Sequence, residues 1–511
     1  MPRQILGWRM TRRMGAWALG RMALVSVLLI CANAPMRLSA QSLQKRLDRR
    51  LDAMPFARTL WGVVVIDERG RTVYARNADR LFVPASNTKI VVSAVAAALL
   101  PPEFTVKTSL YGTGPIENGI LEGDLVLYGR GDPTFARRCY ATDTLAVGVC
   151  DTDPFQKLKL LAEQLRTRGV RVVRGDLVGD GSYFEPTTVH YGWEGYDLNW
   201  WYAAPVSGLG FNDNSIDIDW GAGPMVNAPA AVAFTPDLGD VTLENRTRTV
   251  PADSSDDIDF FRTPGTLSLW AAGTVGASSR GGTEYFAMPD PDLFTARALR
   301  KVLADYGIAV IGTTRSTSDS NAYRQVRGCC QALAEVDSRP LKDWVFPILN
   351  TSQNWFAEML LKQLGRQFGG EGSWRKGIEV ERRFLIDSVR IDSTQIAMTD
   401  GSGLAANNLV SPMAFAQMIR YITRHPRAAT FTAGLPRAQQ VGSLRNRFRG
   451  SPLEGRVHAK TGSISRVNTL SGYIDRPDGR RWTFSIQANH HTQRGRDILA
   501  QIDSLVVEIG R

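Results

Sequence analysis

Three short motifs contain the residues of this chain that are best suited to catalysis. The first, Ser86-Asn-Thr-Lys89, stands at the start of an apolar helix pattern. Residues three apart in a helix lie over the same turn, so the Lys89 amine is expected beside the Ser86 hydroxyl. Burial lowers the pKa of a lysine, and a neutral amine can accept the proton of a serine. The pair therefore predicts a serine nucleophile with a lysine base.

The Ser-x-x-Lys spacing is a weak signal alone, because it occurs three times in the chain. The copy at Ser42 and Lys45 lies close to the predicted start of the mature protein. The copy at Ser373 and Lys376 follows a glycine-rich loop, where a helix-capping serine is the better explanation. A capping serine, beside a lysine whose amine reaches solvent, is also the alternative interpretation of Ser86.

Two later motifs supply the remaining groups that acyl transfer needs. Ser352-Gln-Asn354 lies where a loop enters the helix pattern Trp355–Leu364, and Lys460-Thr-Gly462 directly precedes a strand pattern. Taken separately, each motif has an alternative interpretation: Ser352 and Asn354 as helix caps, and Lys460 as a solvated charge at a strand edge. Together with Ser86 and Lys89, they predict a site for acyl transfer.

Other catalytic chemistries find less support in the sequence. There is no Gly-x-Ser-x-Gly segment, and the five histidines lack a recognisable nucleophile and base context. No spacing of histidine, cysteine or acidic residues matches a zinc site. We therefore predict a serine–lysine mechanism that uses no metal and no cofactor.

Taken in order, the three motifs resemble the triplet of penicillin-recognising serine enzymes, the β-lactamases and penicillin-binding proteins. The chain is more closely similar to the D-Ala-D-Ala carboxypeptidase/endopeptidase family of low-mass penicillin-binding proteins, peptidase family S13, of the penicillin-binding protein 4 type. The long separation of Ser86 from Ser352 leaves room for the large insertion typical of that family. Further segments that resemble the family are Gly129-x-Gly131-Asp132-Pro133, Ala204-Pro205-Val206-Ser207, Asn212-Asp213-Asn214, Asp400-Gly-Ser-Gly-Leu404 and Asn408-Leu409-Val410-Ser411.

The resemblance implies catalytic roles for four residues. Ser86 would attack the carbonyl of the penultimate D-Ala of a peptidoglycan stem peptide, with Lys89 as its base. Ser352 would relay a proton to the leaving amine, and Asn354 would hydrogen-bond the peptide being cut. β-Lactam antibiotics would acylate the same serine and so act as covalent inhibitors.

The third motif is implied to bind the substrate. Lys460 and Thr461 would bind the terminal carboxylate of the stem peptide. Gly462 would admit the peptide along the strand edge, as in β-augmentation. The backbone N–H groups of Ser86 and Ser463 would form the oxyanion hole.

The chain departs from the family pattern at one recognition position. The family usually continues Gly-Ser-Gly-Leu with Ser-Arg, whereas this chain has Ala405-Ala406. The arginine expected to help recognise the diamino-acid end of the stem peptide is therefore missing there. Asp180 resembles an acid of the inserted domain that would meet the free amine of the substrate, although a turn-capping aspartate explains it equally well.

Two other functions remain as alternatives. A β-lactamase-like hydrolase of class A would need a deacylating glutamate in a Glu-x-x-Leu-Asn context, and the nearest match is Glu358-x-x-Leu361 followed by Lys362. Without that base, a penicillin adduct should persist. A catalytically silent peptidoglycan-binding protein is disfavoured because all three motifs are intact. The preference between carboxypeptidase and endopeptidase action stays open.

The elements around the motifs predict an α+β fold. Strand patterns near both ends of the chain flank central helix patterns, whereas residues 111–326 change to short alternating strands with Gly-Asp turns. With the resemblance, this predicts a β-lactamase/DD-peptidase-like transpeptidase domain, an antiparallel sheet with helices, formed by residues 41–110 and 327–511. A large, mostly β insertion, residues 111–326, splits it.

Residues 1–40 predict a secretory signal peptide. Arginines without acids precede the uncharged stretch Met22–Met36, and Leu38-Ser-Ala40 offers a cleavage site before Gln41. That stretch is shorter than the roughly 20 residues that a membrane-spanning helix needs, so a retained anchor is the weaker alternative. We therefore expect the protein in the bacterial periplasm or cell envelope, with a peripheral membrane contact left open.

Composition and charge exclude several classes of protein. The 511 residues are 43% hydrophobic and 22% charged, which excludes a disordered, collagen-like or polytopic membrane protein. Six arginines and no acids precede residue 41, which leaves 55 basic and 50 acidic residues beyond it. This mild balance, without an RNA-binding motif, predicts no nucleic-acid partner. The mature chain has four cysteines, Cys139, Cys150, Cys329 and Cys330. Four cysteines can pair in three ways, and the sequence leaves all three open.

Overall fold

A five-stranded antiparallel sheet joins the two ends of the chain. The computed structural model describes residues 43–135 and 153–511, so the predicted signal peptide, Cys139 and Cys150 lie outside the described residues. The strands follow one another across the sheet in the order Thr72–Arg76, Leu60–Ile66, Arg481–Asn489, Val467–Asp475 and Val457–Ile464. Every neighbouring pair is antiparallel. The N-terminal hairpin is thus completed by three strands from the C-terminal part of the chain.

Helices cover both faces of this sheet. Successive side chains of a strand point to opposite faces, and strand Leu60–Ile66 shows this clearly. Val63 and Val65 belong to an apolar cluster with the helices at residues 43–51 and Gly495–Gly510. Val64 packs instead in a cluster with Ala416, which lies in a helix of the opposite layer. That layer contains the helices Thr88–Leu99, Leu341–Asn350, Asn354–Gly369, Trp374–Phe384, Pro412–Ile422 and Ala428–Thr432.

Helix Thr88–Leu99 lies at the centre of the helical layer. Every residue from Thr88 to Ala97 is buried, as expected for a helix that is apolar on all sides. A short 3-10 turn, Ala85–Asn87, precedes it and contains Ser86. The first turn of a helix buried in this way can reach solvent only through a cleft between its neighbours.

The described residues between 107 and 337 form four further sheets. Their strands are Lys107–Gly112, Ile116–Glu117, Ile120–Leu121, Leu125–Tyr128, Val172–Val173, Leu177–Asp180, Ser215–Gly221, Ala231–Thr235, Thr242–Val250, Asp257–Arg262, Ser268–Gly276, Gly282–Ala287, Ala309–Val310, Thr314–Thr317 and Ala334–Asp337. The helices of this part are Gln156–Thr167, Pro291–Asp305 and Arg324–Cys329. The limits of the insertion, residues 111–326, stay a prediction. Lys107–Gly112 pairs with Ala334–Asp337, which favours an insertion slightly wider than residues 111–326.

Three further features bear on the sequence predictions. Lys460 lies inside strand Val457–Ile464, whereas the sequence pattern placed the start of the strand after it. Cys329 and Cys330 form a disulfide between adjacent residues, one of the pairings left open. Among the described residues, no helix is both long and apolar enough to cross a membrane. A small two-stranded sheet, Ile396–Ala397 with Leu409–Val410, completes the fold.

Candidate active site

The amine of Lys89 joins three separate parts of the chain. Its Nζ donates hydrogen bonds to Ser86 Oγ at 2.9 Å, to Asn354 Oδ1 at 2.7 Å and to the carbonyl oxygen of Ser402 at 2.8 Å. The protonated amine can donate to all three oxygens, whereas the neutral amine donates to two of them and can accept from the Ser86 hydroxyl. The first two motifs therefore meet at one nitrogen atom, together with the family-like segment Asp400–Leu404, which contains Ser402.

Burial gives Lys89 the properties of a base. The side chain is fully buried, and this lowers the pKa of Lys89 to about 7, although the carboxylates of Glu358 and Asp400 oppose the shift. A group with a pKa near the working pH can both accept and return a proton. Because Ser86 Oγ lies within hydrogen-bonding distance, Lys89 is positioned to take the proton of this hydroxyl.

The turn that carries Ser86 is fastened to the sheet. The carbonyl oxygen of Pro84 accepts a hydrogen bond from Thr469 Oγ1 at 2.9 Å, and Asn87 Nδ2 donates to Ser471 Oγ at 2.8 Å. Ala85, directly before the serine, has a left-handed φ of 47°, which a non-glycine residue seldom adopts. Strained backbone of this kind persists only when its surroundings hold it, and here they fix the serine at the N-terminal end of a helix.

The second and third motifs are also in direct contact. Lys460 Nζ donates to Ser352 Oγ at 2.8 Å and to the carbonyl oxygen of Thr461 at 2.8 Å. Burial and the nearby charge of Lys89 lower the pKa of Lys460 well below its ordinary value. Ser352 has a φ of 67°, so it too is a left-handed non-glycine residue. The arrangement links a serine hydroxyl to a second buried amine.

The strand that carries Lys460 is the outer strand of the central sheet. It pairs only with Val467–Asp475 among the described strands. Residues 436–438 are hydrogen-bonded to its other edge at Val457 and Ala459, so an extended peptide can pair with the part of that edge that follows Ala459. A Cβ atom at Gly462 would lie 2.8 Å from the carbonyl oxygen of Pro84 and 2.2 Å from Thr469 Oγ1. Glycine therefore allows the strand to approach the Ser86 turn. Ser463 is exposed at the end of this edge.

The inserted segment supplies contacts that the sequence analysis missed. Asn354 Nδ2 donates to the carbonyl oxygen of Tyr202 at 2.7 Å, which orients the amide so that Oδ1 faces Lys89. Gln353 Nε2 donates to Asp213 Oδ2 at 3.2 Å. Asp213 lies among three consecutive residues with φ near 50°. No local pattern could reveal these partners, because they are about 140 to 150 residues apart in sequence.

Asp180 lies apart from the Lys89 hydrogen-bond network. Its buried carboxylate accepts a hydrogen bond from Arg327 Nη1 and one from the backbone N–H of Ser182 at 3.0 Å. The second bond is the turn-capping contact of the alternative interpretation. The binding of the substrate amine by Asp180 stays a prediction. In this structure the Asp180 carboxylate forms an ion pair with Arg327. At the other recognition position, Ala405 is buried and Ala406 is exposed.

Two buried acids behind Lys89 were also missed as site residues. Glu358 and Asp400 are fully buried and accept hydrogen bonds from the loop that contains Ser402. An acid inside the otherwise apolar segment Trp355–Leu361 was the available sequence signal for Glu358. No group of three or more histidine, cysteine or acidic side chains in the described part of the chain is arranged to hold a metal ion.

The chain is similar to known proteins along most of its length. The sequence profile described as the D-Ala-D-Ala carboxypeptidase 3 (S13) family matches residues 43–509. A D-alanyl-D-alanine carboxypeptidase from Actinomadura sp. (strain R39) is 29% identical over 480 residues, which cover 91% of this chain and 84% of that relative.

Solved structures agree on the fold. Two crystal structures of penicillin binding protein 4 (dacB) from Haemophilus influenzae match with TM-scores of 0.75 and 0.71, and the second contains a β-lactam. Each is 21% identical and covers 91% of this chain and 99% of the other. The predicted α+β fold is confirmed. Because the profile spans nearly all of the described residues, the chain belongs to the D-Ala-D-Ala carboxypeptidase 3 (S13) family.

Proposed function

We propose that this serine DD-peptidase forms its acyl-enzyme on Ser86 and acts on the D-Ala-D-Ala end of peptidoglycan stem peptides. One observation carries the assignment of the nucleophile: the buried amine of Lys89, with a pKa of about 7, lies 2.9 Å from Ser86 Oγ. The relative from Actinomadura, a D-alanyl-D-alanine carboxypeptidase, supports the substrate class. Neutral Lys89 accepts the serine proton as Oγ attacks the carbonyl carbon of the penultimate D-Ala.

The leaving group takes its proton from the second serine. As the C–N bond breaks, the amine of the terminal D-Ala accepts the proton of Ser352, and the adjacent Lys460 replaces it. The negative oxygen of the intermediate faces the backbone N–H groups of Ser86 and Ser463. Loss of one such donor typically lowers kcat by about 10²–10³-fold.

Substrate binding uses the outer edge of the sheet. The peptide extends along the part of strand Val457–Ile464 that follows Ala459, since residues 436–438 pair with the part before it. Its terminal carboxylate approaches Lys460 and Thr461. Thr461 Oγ1 donates to Ser443 Oγ at 3.0 Å, so the hydroxyl hydrogen of Ser443 is the donor of this pair that can turn to the incoming carboxylate. A negative charge beside buried Lys460 favours the protonated amine, so binding and protonation support each other.

The environment of Glu358 argues for a penicillin target over a β-lactamase. This glutamate is fully buried, and its oxygens accept hydrogen bonds from the backbone of Gly401 and Ser402 and from the indole of Trp374. It therefore offers no exposed base that could activate water for deacylation. A penicillin adduct on Ser86 is expected to persist, and the β-lactam complex of the Haemophilus protein supports such binding.

Cellular location and cleavage preference extend the proposal. The arginine-rich start and uncharged Met22–Met36 stretch support export to the bacterial periplasm or cell envelope. Fractionation of cells that produce the full chain tests this, since a protein that stays uncleaved in the cytoplasm would contradict it. Digestion of cross-linked muropeptides separates endopeptidase from carboxypeptidase action.

The nucleophile can be tested with protein that lacks residues 1–40. It should release D-Ala from a pentapeptide, and penicillin should label Ser86 covalently, as mapped by mass spectrometry. Ser86→Ala should abolish both, whereas labelling that persists in this variant would overturn the assignment. Ser373→Ala is the matched control, because Ser373 also begins a Ser-x-x-Lys sequence but caps a helix through the backbone N–H of Lys376.

A further inference from the structure

Glu358 is a buried acid that the reaction described above does not use. It lies one helical turn after Asn354 on helix Asn354–Gly369, so both side chains project from the same face. Its carboxylate accepts three hydrogen bonds: from the backbone N–H of Ser402 at 2.7 Å, from that of Gly401 at 2.9 Å and from Trp374 Nε1 at 2.8 Å. Two of the three donors belong to one loop.

That loop has no regular secondary structure of its own and is held by side chains. Asp400 accepts hydrogen bonds from the backbone N–H groups of Gly403 and Ala405, both at 2.8 Å. A Cβ atom at Gly403 would lie 1.9 Å from the carbonyl oxygen of Ala85, so the loop also lies against the Ser86 turn. The position of the Ser402 carbonyl therefore depends on two buried carboxylates.

We propose that Glu358 is a positioning residue for Lys89. Glu358 holds the Gly401-Ser402 backbone, so that the Ser402 carbonyl accepts a hydrogen bond from the lysine amine. It also places a negative charge behind that amine. The inference rests on the proposed function, because it takes Lys89 as the base for Ser86. It assigns a task to an acid one helical turn from the second motif.

The charges around Glu358 support this assignment. Burial and the neighbouring Asp400 raise the pKa of Glu358 to about 7, while the bonds from Ser402, Gly401 and Trp374 lower it. These three donors favour the ionised form, since a protonated carboxyl group would lose an acceptor. The carboxylate of Glu358 in turn raises the pKa of Lys89 against the effect of burial.

Several other ionisable groups surround this acid. Glu381, on helix Trp374–Phe384, is fully buried, and burial together with Glu358 and Asp400 raises its pKa well above its ordinary value. Neither oxygen of Glu381 has a hydrogen-bond partner among the described residues. Lys362 lies on the same helix as Glu358, and burial lowers its pKa to about 8. His190 faces Asp400 from the inserted segment, and burial lowers its pKa.

Glu381 provides a matched control for Glu358. Both are buried glutamates on adjacent helices, but Glu381 makes no hydrogen bond to the loop. Glu358→Gln removes the negative charge and puts an NH₂ group where the carboxylate accepted backbone N–H bonds. Glu381→Gln replaces a carboxyl group, whose pKa burial raises well above its ordinary value, with an amide of similar shape. Both variants should be compared with the parent protein by thermal melting and by the pH dependence of penicillin acylation.

The expected result separates positioning from packing. Glu358→Gln should lower the second-order acylation rate constant by about tenfold or more, because the Gly401-Ser402 backbone loses its acceptor. It should also move the acidic limb to lower pH, because no carboxylate is left at this position beside Lys89. Glu381→Gln should acylate within about twofold of the parent. Glu358→Asp, which keeps the charge but is one methylene shorter, should leave the acidic limb in place and lower the rate.

Three outcomes would overturn the inference. These are a parental rate and acidic limb in Glu358→Gln, an equal loss in Glu381→Gln, and a parental rate in Glu358→Asp. The last variant also decides the question if Glu358→Gln does not fold. Failure of the parent protein itself to acylate at Ser86 would instead refute the proposed function, so the two failures are distinguishable.

Discussion

Lowering the pH should slow acylation of Ser86 in a way that reports the protonation of Lys89. Burial lowers the pKa of Lys89 to about 7, and only the neutral amine accepts the serine proton. About nine-tenths of the lysine is neutral at pH 8 and about 1% at pH 5, so the rate constant should fall about 100-fold between these values. A lysine with its ordinary pKa would give no plateau in this range.

The assay is the second-order rate constant for labelling by a fluorescent penicillin, measured from about pH 5 to pH 9 at constant ionic strength, since such a constant reports groups of the free enzyme. Lys89→Met removes the base with little change in side-chain length. It should lower the rate constant by about 10²–10⁴-fold, the usual contribution of a general base, and remove the acidic limb.

Two results would refute this reasoning. If the rate constant does not change between about pH 5 and pH 8, protonation of Lys89 in this range does not limit the attack of Ser86. An acidic limb that survives in Lys89→Met would assign it to another group, of which Glu358 is the nearest candidate, since its pKa is also raised to about 7.

Three further predictions concern stability, proton uptake and the strand edge. The pKa of Lys89 is lowered in the folded state, so the unfolded chain binds more protons than the folded chain between about pH 7 and pH 10. The free energy of unfolding of the parent, relative to that of Lys89→Met, should therefore rise with pH, by at most about 1.4 kcal/mol per pH unit. Denaturant unfolding measures this difference. A constant difference would contradict the buried, neutral lysine. Lys460 also has a lowered pKa, so a bound D-Ala-D-Ala carboxylate should raise it and draw in a proton; calorimetry in buffers of different ionisation enthalpy should show this, and identical heats would refute it. Gly462→Ala should weaken both acylation and thermal stability, because its Cβ atom would clash with Pro84 and Thr469, whereas Gly495→Ala, with open space around it, should change neither; a fully active Gly462→Ala would show that the strand need not approach the turn this closely.

The local sequence was sufficient for the motifs and for many elements. The Ser86–Lys89 contact follows from helical spacing, and the burial of helix Thr88–Leu99 follows from its uniformly apolar composition. The order and separation of the three motifs led to the family, which the profile match confirms. These properties depend on residues that are close in sequence or on the order of segments along the chain.

Strand Val457–Ile464 shows where local patterns were insufficient. The alternation of buried and partly exposed residues in this strand is interrupted at Lys460, where a lysine is buried, whereas the sequence pattern placed the strand after this residue. The side chain is tolerated there because Ser352 and the carbonyl oxygen of Thr461 accept its hydrogen bonds. Only the folded chain brings the first of these acceptors within reach.

The support around the site was decided by tertiary structure alone. Arg327 reaches Asp180 across 147 residues, and Asn354 reaches Tyr202 across 152. Glu358 holds a loop more than 40 residues away in sequence, and this loop carries the carbonyl that binds Lys89. Residue types and spacing therefore determined which groups can react, while burial and long-range hydrogen bonds, which depend on the packing of distant segments, decided their protonation and orientation.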